Sequence, residues 1–191
     1  MLSLNPKTTA LVLIDLQKGI MGRPVAPHGA AEVIGNSARL GAALSEAGGV
    51  VAPVHVAFSP DGADRLRQEV DQPNPSAPLA ADWSELVPEI AALPAAFVIV
   101  KRQWGAFHGT ELDLQLRRRG VDTIVLTGVA TNFGVESTAR EAWQHGYSVV
   151  VAEDAVSGLG EAAHNFAIET ILPRIARIRS TAEILAALAG K

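Results

Sequence analysis

Cysteine is absent from all 191 residues. Its absence excludes a disulfide framework, a thiolate zinc or iron–sulfur site, and a cysteine nucleophile supplied by this chain. Surplus positive charge is missing too: 16 Lys and Arg stand against 20 Asp and Glu, for a formal net charge of −4. Broad binding to nucleic acid or to an anionic membrane surface needs an excess of Lys and Arg, so no nucleic-acid or membrane partner is expected. Long apolar runs are also lacking. Leu11–Ile14 is cut by Asp15, and Ala91–Val100 is broken by Pro94. Neither reaches the ~18 residues of a membrane span, and no signal-peptide core with a cleavage site is visible near the N-terminus. The expectation is one domain over residues 1–191, cytoplasmic, with 48% hydrophobic residues to fill its core.

What is present is an alternation of short β-rich runs and helical patterns. Thr9–Asp15, Val50–Phe58, Phe97–Lys101, Thr123–Thr127, Tyr147–Ala152 and the weaker Ala176–Arg179 read as six strands. Most are continuously apolar, as strands covered on both faces are. Ala30–Ala47, Gly109–Arg119, Phe133–His145 and Glu161–Leu172 carry apolar residues at helical spacing, and Ser180 with Glu183 forms a capping box before a last helix, Ile184–Leu188. Repeated βα units predict an α/β fold: three α/β/α layers around a six-stranded, mainly parallel, Rossmann-like sheet. Arg117, Arg118 and Arg119 at a helix end suit the macrodipole and read as a solvated terminus. Ser59–Pro78, with four prolines, fits no regular element and reads as a long loop over the sheet's carboxyl edge.

Ligands of open α/β sheets bind beyond the carboxyl ends of the strands, so the strand-end residues are the informative ones. The first strand ends in Asp15, followed by Gln17. The third ends in Lys101, followed by Arg102, Gln103 and Trp104. The fourth runs into Gly128-Val-Ala-Thr-Asn-Phe-Gly134, a loop that opens a helix. A strand-end Asp can equally cap a loop, and a strand-end Lys can simply be solvated. No G-x-G-x-x-G fingerprint and no P-loop occurs, which disfavours a nicotinamide, flavin or nucleoside triphosphate cofactor. The five histidines, His28, His55, His108, His145 and His164, show no H-x-H or H-E-x-x-H spacing. No cofactor and no metal are expected; His108, nearest the strand-end site, is a candidate for its rim.

Taken together, TALVLIDLQ near the start, the block KRQWGAFHGTELDLQLRRRGVDTIVLTGVATNFGVESTAREAWQHGYSVVVAEDAVSG and the later PRIARIRS resemble the isochorismatase-like hydrolase superfamily. The resemblance runs over nearly the whole chain. It implies a catalytic Asp closing the first strand and a Lys closing the third, carried by Asp15 and Lys101. It also implies a Cys opening the helix after the fourth strand, and there this sequence has Gly134. A non-proline cis peptide would map to Val129–Ala130, with the N–H groups of Ala130 and Gly134 as oxyanion-type donors. The metal site of nicotinamidases uses an Asp and several His after the second strand, yet no His lies between Phe58 and Phe107. Members of the family assemble as dimers or larger oligomers, and a homo-oligomer, dimer or tetramer, is expected.

Glycine at position 134 cannot form an acyl-enzyme, which weakens an amidase reading. Thr131, Ser137 and Thr138 are nearby hydroxyls with no adjacent His to activate them. Isochorismatases resemble this chain in carrying glycine at the same place. Their hydrolysis of a vinyl ether needs a proton on the enol carbon and an attacking water, with no protein nucleophile. Asp15 is then the expected general acid, Lys101 its partner, and the substrate a small molecule. Gln17 would orient substrate or water, Thr131 would contact substrate, and Trp104 and Phe107 would form an apolar wall. Arg65, Arg67 and Arg102 are candidates for a dianionic substrate's carboxylates. Two rival readings are a catalytically silent binding or interaction protein and an amidohydrolase with another nucleophile.

Overall fold

Because a parallel sheet buried on both faces must be apolar throughout, the runs picked out in the sequence become the central strands. The computed structural model describes residues 2–73 and 78–190. Its strands are β1 (Thr9–Ile14), β2 (Val50–Val56), β3 (Ile99–Lys101), β4 (Thr123–Val129), β5 (Ser148–Ser157) and β6 (Arg177–Arg179). They form one sheet in the order β3-β2-β1-β4-β5-β6, with every pairing parallel. Helices α1 (Lys18–Met21), α2 (Ala30–Glu46), α3 (Pro88–Ala91), α4 (Leu112–Arg118), α5 (Glu136–Gln144), α6 (Glu161–Phe166) and α7 (Thr181–Leu188) complete the fold. None is long and apolar enough to cross a membrane.

All six residues of β1 are buried, and alternate side chains supply two separate cores. Ala10, Val12 and Ile14 pack with Leu112 and Leu116 of α4 and Ala139 and Ala142 of α5. Leu11 and Leu13 face the other way, onto Val33, Leu40 and Leu44 of α2 and Ile184 and Ala187 of α7. The period of two along a strand thus divides one apolar run between two layers of helices.

Several boundaries differ from expectation, each for a local reason. The helix expected from Gly109 begins at Leu112, because Gly109 has φ +66° and the Thr110 hydroxyl accepts from the Leu112 N–H. The helix expected from Phe133 starts with a wide turn, Thr131–Val135, in which the Val135 N–H reaches back to the Ala130 carbonyl. The helix expected over Glu161–Leu172 is regular only to Phe166 and then widens over Ala167–Ile171. The capping box at Ser180 and Glu183 is present, and α7 begins at Thr181. Arg117 pairs with Asp113 and lies over the Tyr147 ring, and Arg119 covers Phe97, so two of the three arginines are engaged by neighbouring side chains, while Arg118 is exposed.

The long loop after β2 has no helix or strand from Ala57 to Pro73. Residues 74–77 of the expected Ser59–Pro78 loop lie outside the described residues. Asp64 organises the described part, accepting from the backbone N–H and hydroxyl of Ser59 and pairing with Arg102 just beyond β3. These contacts, the Ser59 N–H foremost, hold the Asp64 carboxyl well below its ordinary range, at about 2.

Candidate active site

With β2 lying between β1 and β3, the backbones carrying Asp15 and Lys101 are about two strand spacings apart, roughly 10 Å. The lysine stem spans that gap at the carboxyl rim. Its Nζ donates to Asp15 Oδ2 at 2.8 Å and to the Trp104 carbonyl at 2.6 Å. Lys101 is paired in register with Val56, two residues past the Val54 that faces both Ile14 and Ile99, so it starts above the rim and reaches back. Asp15 turns to meet it with φ +54°, the one described non-glycine residue at positive φ.

Both side chains are almost wholly out of solvent, at 0% exposure for Lys101 and 8% for Asp15. Two effects compete on the carboxyl. Burial disfavours its charge, whereas the neighbouring ammonium favours it. Burial wins, and the Asp15 pKa rises from 3.8 to about 6. The second oxygen, Oδ1, is buried without a hydrogen-bond partner among the described residues.

The third element is the turn after β4. Gly128 has φ +113° and lies in register with Ile14, so close that a Cβ there would fall 1.9 Å from the Ile14 carbonyl oxygen. Only glycine fits, and the ends of β1 and β4 are thereby pressed together. The Val129–Ala130 peptide is cis, as the resemblance implied. The chain then delivers Gly134 to the Asp–Lys pair. A Cβ on Gly134 would lie 3.1 Å from Asp15 Oδ2, 3.2 Å from Lys101 Nζ and 2.9 Å from Ile14 Cγ2. Any side chain at 134 would therefore press on the pair and on Ile14, and the missing Cβ is what lets this turn lie so close to both.

The segments that form this rim also show what the chain is related to. A model of the isochorismatase domain matches residues 9–183. The chain belongs to the isochorismatase family. It is 52% identical to the uncharacterized isochorismatase family protein YecD of Escherichia coli O157:H7 over 188 residues, covering 98% of this chain and all of that one. It is 48% identical to the uncharacterized family member YwoC of Bacillus subtilis (strain 168) over 186 residues, 96% of each chain. An isochorismatase family protein of Burkholderia thailandensis has the same fold, with TM-score 0.93, 45% identity and 98% of both chains covered.

Other residues expected at the isochorismatase-family site have different tasks. Gln17, expected to orient substrate or water, is fully buried and committed to backbone. Its amide nitrogen donates to the Val56 and Trp83 carbonyls, both at 3.1 Å, and its oxygen accepts from the Val56 N–H at 2.8 Å. With both donors used, it clamps the end of β1 to β2 and to the Trp83 turn. Phe107, expected in an apolar wall, is a core residue at 6% exposure, stacked on His145 and tilted against Tyr147. Trp104 does stand on the rim: it is 57% exposed and packs against Phe133 with ring centroids 4.7 Å apart. Thr138 is structural, donating to the Gly134 carbonyl and accepting from the Ala106 N–H. His108 is exposed.

Of the three arginines, Arg102 is paired with Asp64 and Arg67 donates to the Gly62 carbonyl. Arg65 lies over the Phe58 ring, and its buried Nε has no partner among the described residues.

Two features of the site escaped the sequence. Asn132, inside the turn, has a buried Oδ1 without a partner among the described residues. Thr131 Oγ1 lies 2.8 Å from His164 Nδ1, and both residues are buried. Histidines that read as scattered are brought together here: the rings of His28 and His164 are 5.7 Å apart, with Glu153 against both. No spacing rule pairs positions 28, 153 and 164, so the sequence held no signal for this cluster.

Proposed function

We propose that this isochorismatase-family hydrolase cleaves an enol ether of a small carboxylic acid, with Asp15 as general acid and no covalent intermediate. The observation that carries the reading is the state of Asp15. A buried carboxyl with pKa about 6 is half protonated at that pH and still about one-tenth protonated at pH 7, against about one-thousandth for an ordinary aspartic acid, which suits a general acid. Because the Lys101 ammonium donates to Oδ2, the proton belongs on the unpartnered Oδ1.

In the first step the proton passes from Asp15 to the terminal enol carbon, forming a C–H bond and leaving an oxocarbenium ion. The Asp15 carboxylate so produced is stabilised by Lys101 at 2.8 Å. Water adds to the cationic carbon and returns one proton to Asp15. The hemiketal then breaks its C–O bond, releasing an alcohol and a ketone, so that one water is consumed per bond cleaved. Gly134, lacking a Cβ, lets its turn lie against the pair, and the enol group approaches Asp15 past that turn. Ala130 and Gly134 N–H groups serve as donors to oxygen there, Thr131 borders the substrate, and Arg65 is the arginine left to meet a substrate carboxylate.

Isochorismate is the first compound to test, with release of pyruvate as the readout. Turnover is expected, with kcat falling as the pH rises through about 6 because the ionised Asp15 has no proton to give. Absence of turnover on isochorismate and on other carboxylated enol ethers between pH 5 and 8 would overturn the reading in favour of a silent binding protein. Turnover of amides in the absence of any cysteine would favour the amidohydrolase reading instead.

A further inference from the structure

We propose that His28, Glu153 and His164 form a binding site for one zinc-class divalent cation, distinct from the Asp15–Lys101 pair. The three ligand atoms lie within 4.8 Å of one another. His28 Nε2 stands 2.8 Å from Glu153 Oε1, and His164 Nε2 stands 3.7 Å from the same oxygen. With metal–ligand bonds of about 2.0 Å, the ligand atoms of a tetrahedral zinc site are about 3.3 Å apart. The two separations from Glu153 Oε1 bracket that value, and the separation of the two imidazole nitrogens is at most 4.8 Å, so small side-chain rotations, displacing atoms by about 1 Å or less, bring the three atoms to ligand distance.

The outer contacts are those of a metal site. A ligating imidazole is normally oriented by a hydrogen bond to its other nitrogen. His28 Nδ1 faces Glu32 Oε1 at 3.3 Å, a carboxylate partner, and His164 Nδ1 faces the Thr131 hydroxyl at 2.8 Å. Both imidazoles thus turn their Nε2 atoms towards Glu153. Access is graded in the same sense: the His164 side chain is 1% exposed, His28 20% and Glu153 36%. The site has a buried inner wall and a partly exposed side through which an ion can enter. Two imidazoles and one carboxylate suit zinc or its neighbours better than calcium or magnesium, which favour sets of oxygen ligands. A fourth position remains for water or a ligand carboxylate.

The ligands come from three parts of the chain: the loop before α2, the second half of β5, and α6. A bound ion would lock these together. Through His164 it would also fix Thr131, which opens the turn that carries Gly134. The inference is independent of the enol-ether reading, since it concerns other side chains and is tested by binding.

Untagged full-length protein stripped with EDTA is dialysed against zinc chloride, and bound metal and Tm are measured. One zinc per chain and a raised Tm are expected. Cobalt(II) in its place should give the visible absorption of a four-coordinate nitrogen–oxygen site. His28→Ala and Glu153→Gln, both at partly exposed positions, should weaken zinc binding by at least about tenfold, with Tm in EDTA close to wild type. Glu32→Gln, which removes only the outer partner of His28, should weaken it by about 10-fold or more, whereas His108→Ala should leave it unchanged. Failure to retain zinc, or equal retention by the His28 and Glu153 variants, would overturn the proposal.

Discussion

Replacing Asp15 with Asn is expected to lower kcat for enol-ether hydrolysis by about 10³-fold while leaving the fold intact. General acid catalysis contributes about 10²–10⁴ in rate, and an amide cannot supply the proton. Asn has the same shape, so the Lys101 ammonium keeps an oxygen acceptor where Oδ2 now stands, at 2.8 Å. The substitution leaves the buried Lys101 ammonium without its counter-charge, so Tm at pH 8 should fall below the wild-type value. Activity is therefore compared well below both melting temperatures, where a large loss cannot be attributed to unfolding. Steady-state pyruvate release and a thermal melt on one preparation check both halves. Retention of wild-type kcat would remove Asp15 from the mechanism.

Lys101→Met has the largest expected effect on stability, because it strips the counter-charge from a carboxyl with almost no access to water. Breaking one side of a buried ion pair costs about 3–5 kcal/mol, and the Trp104 carbonyl also loses its donor. The loss depends on pH in a definite direction. In the wild type the native state binds a proton on Asp15 more tightly than the unfolded chain does, so this carboxyl's contribution to stability falls as the pH rises from about 4 to about 6. Without Lys101, whose charge lowers the Asp15 pKa, that pKa moves higher still and the window extends upward. Urea unfolding should show the full deficit at pH 8 and a smaller one at pH 5, where Asp15 takes up a proton. A deficit independent of pH would mean that the two groups are not energetically coupled.

The fold was legible because parallel strands covered on both faces have to be apolar without interruption, and Leu11–Ile14, Val50–Val54 and Ile124–Leu126 are. The order of the strands was not, since nothing in a run such as IVK states its neighbour. Strand β2 does lie between β1 and β3, and only the length of a lysine side chain lets the strand-end residues meet across it. Asp15, Lys101 and Gly134 were legible as neighbours in a candidate site because each ends or follows a strand, and the sheet brings such ends to one rim. The misreadings were of side chains whose partners are remote in sequence. Gln17 is satisfied by carbonyls 39 and 66 residues away, and Phe107 by rings at 145 and 147. The cluster of His28, Glu153 and His164 was invisible for the same reason. Whether burial or Lys101 governs Asp15 could be posed from the sequence, but deciding it required the depth of the carboxyl and the geometry of its single ion pair.

That balance is open to direct observation by ¹³C NMR titration of the Asp15 carboxyl, assigned by its loss in Asp15→Asn. A midpoint near 6 is expected, moving upward in Lys101→Met. A midpoint at or below the ordinary value of 3.8 would leave Asp15 ionised throughout the working range and contradict its role as the proton donor.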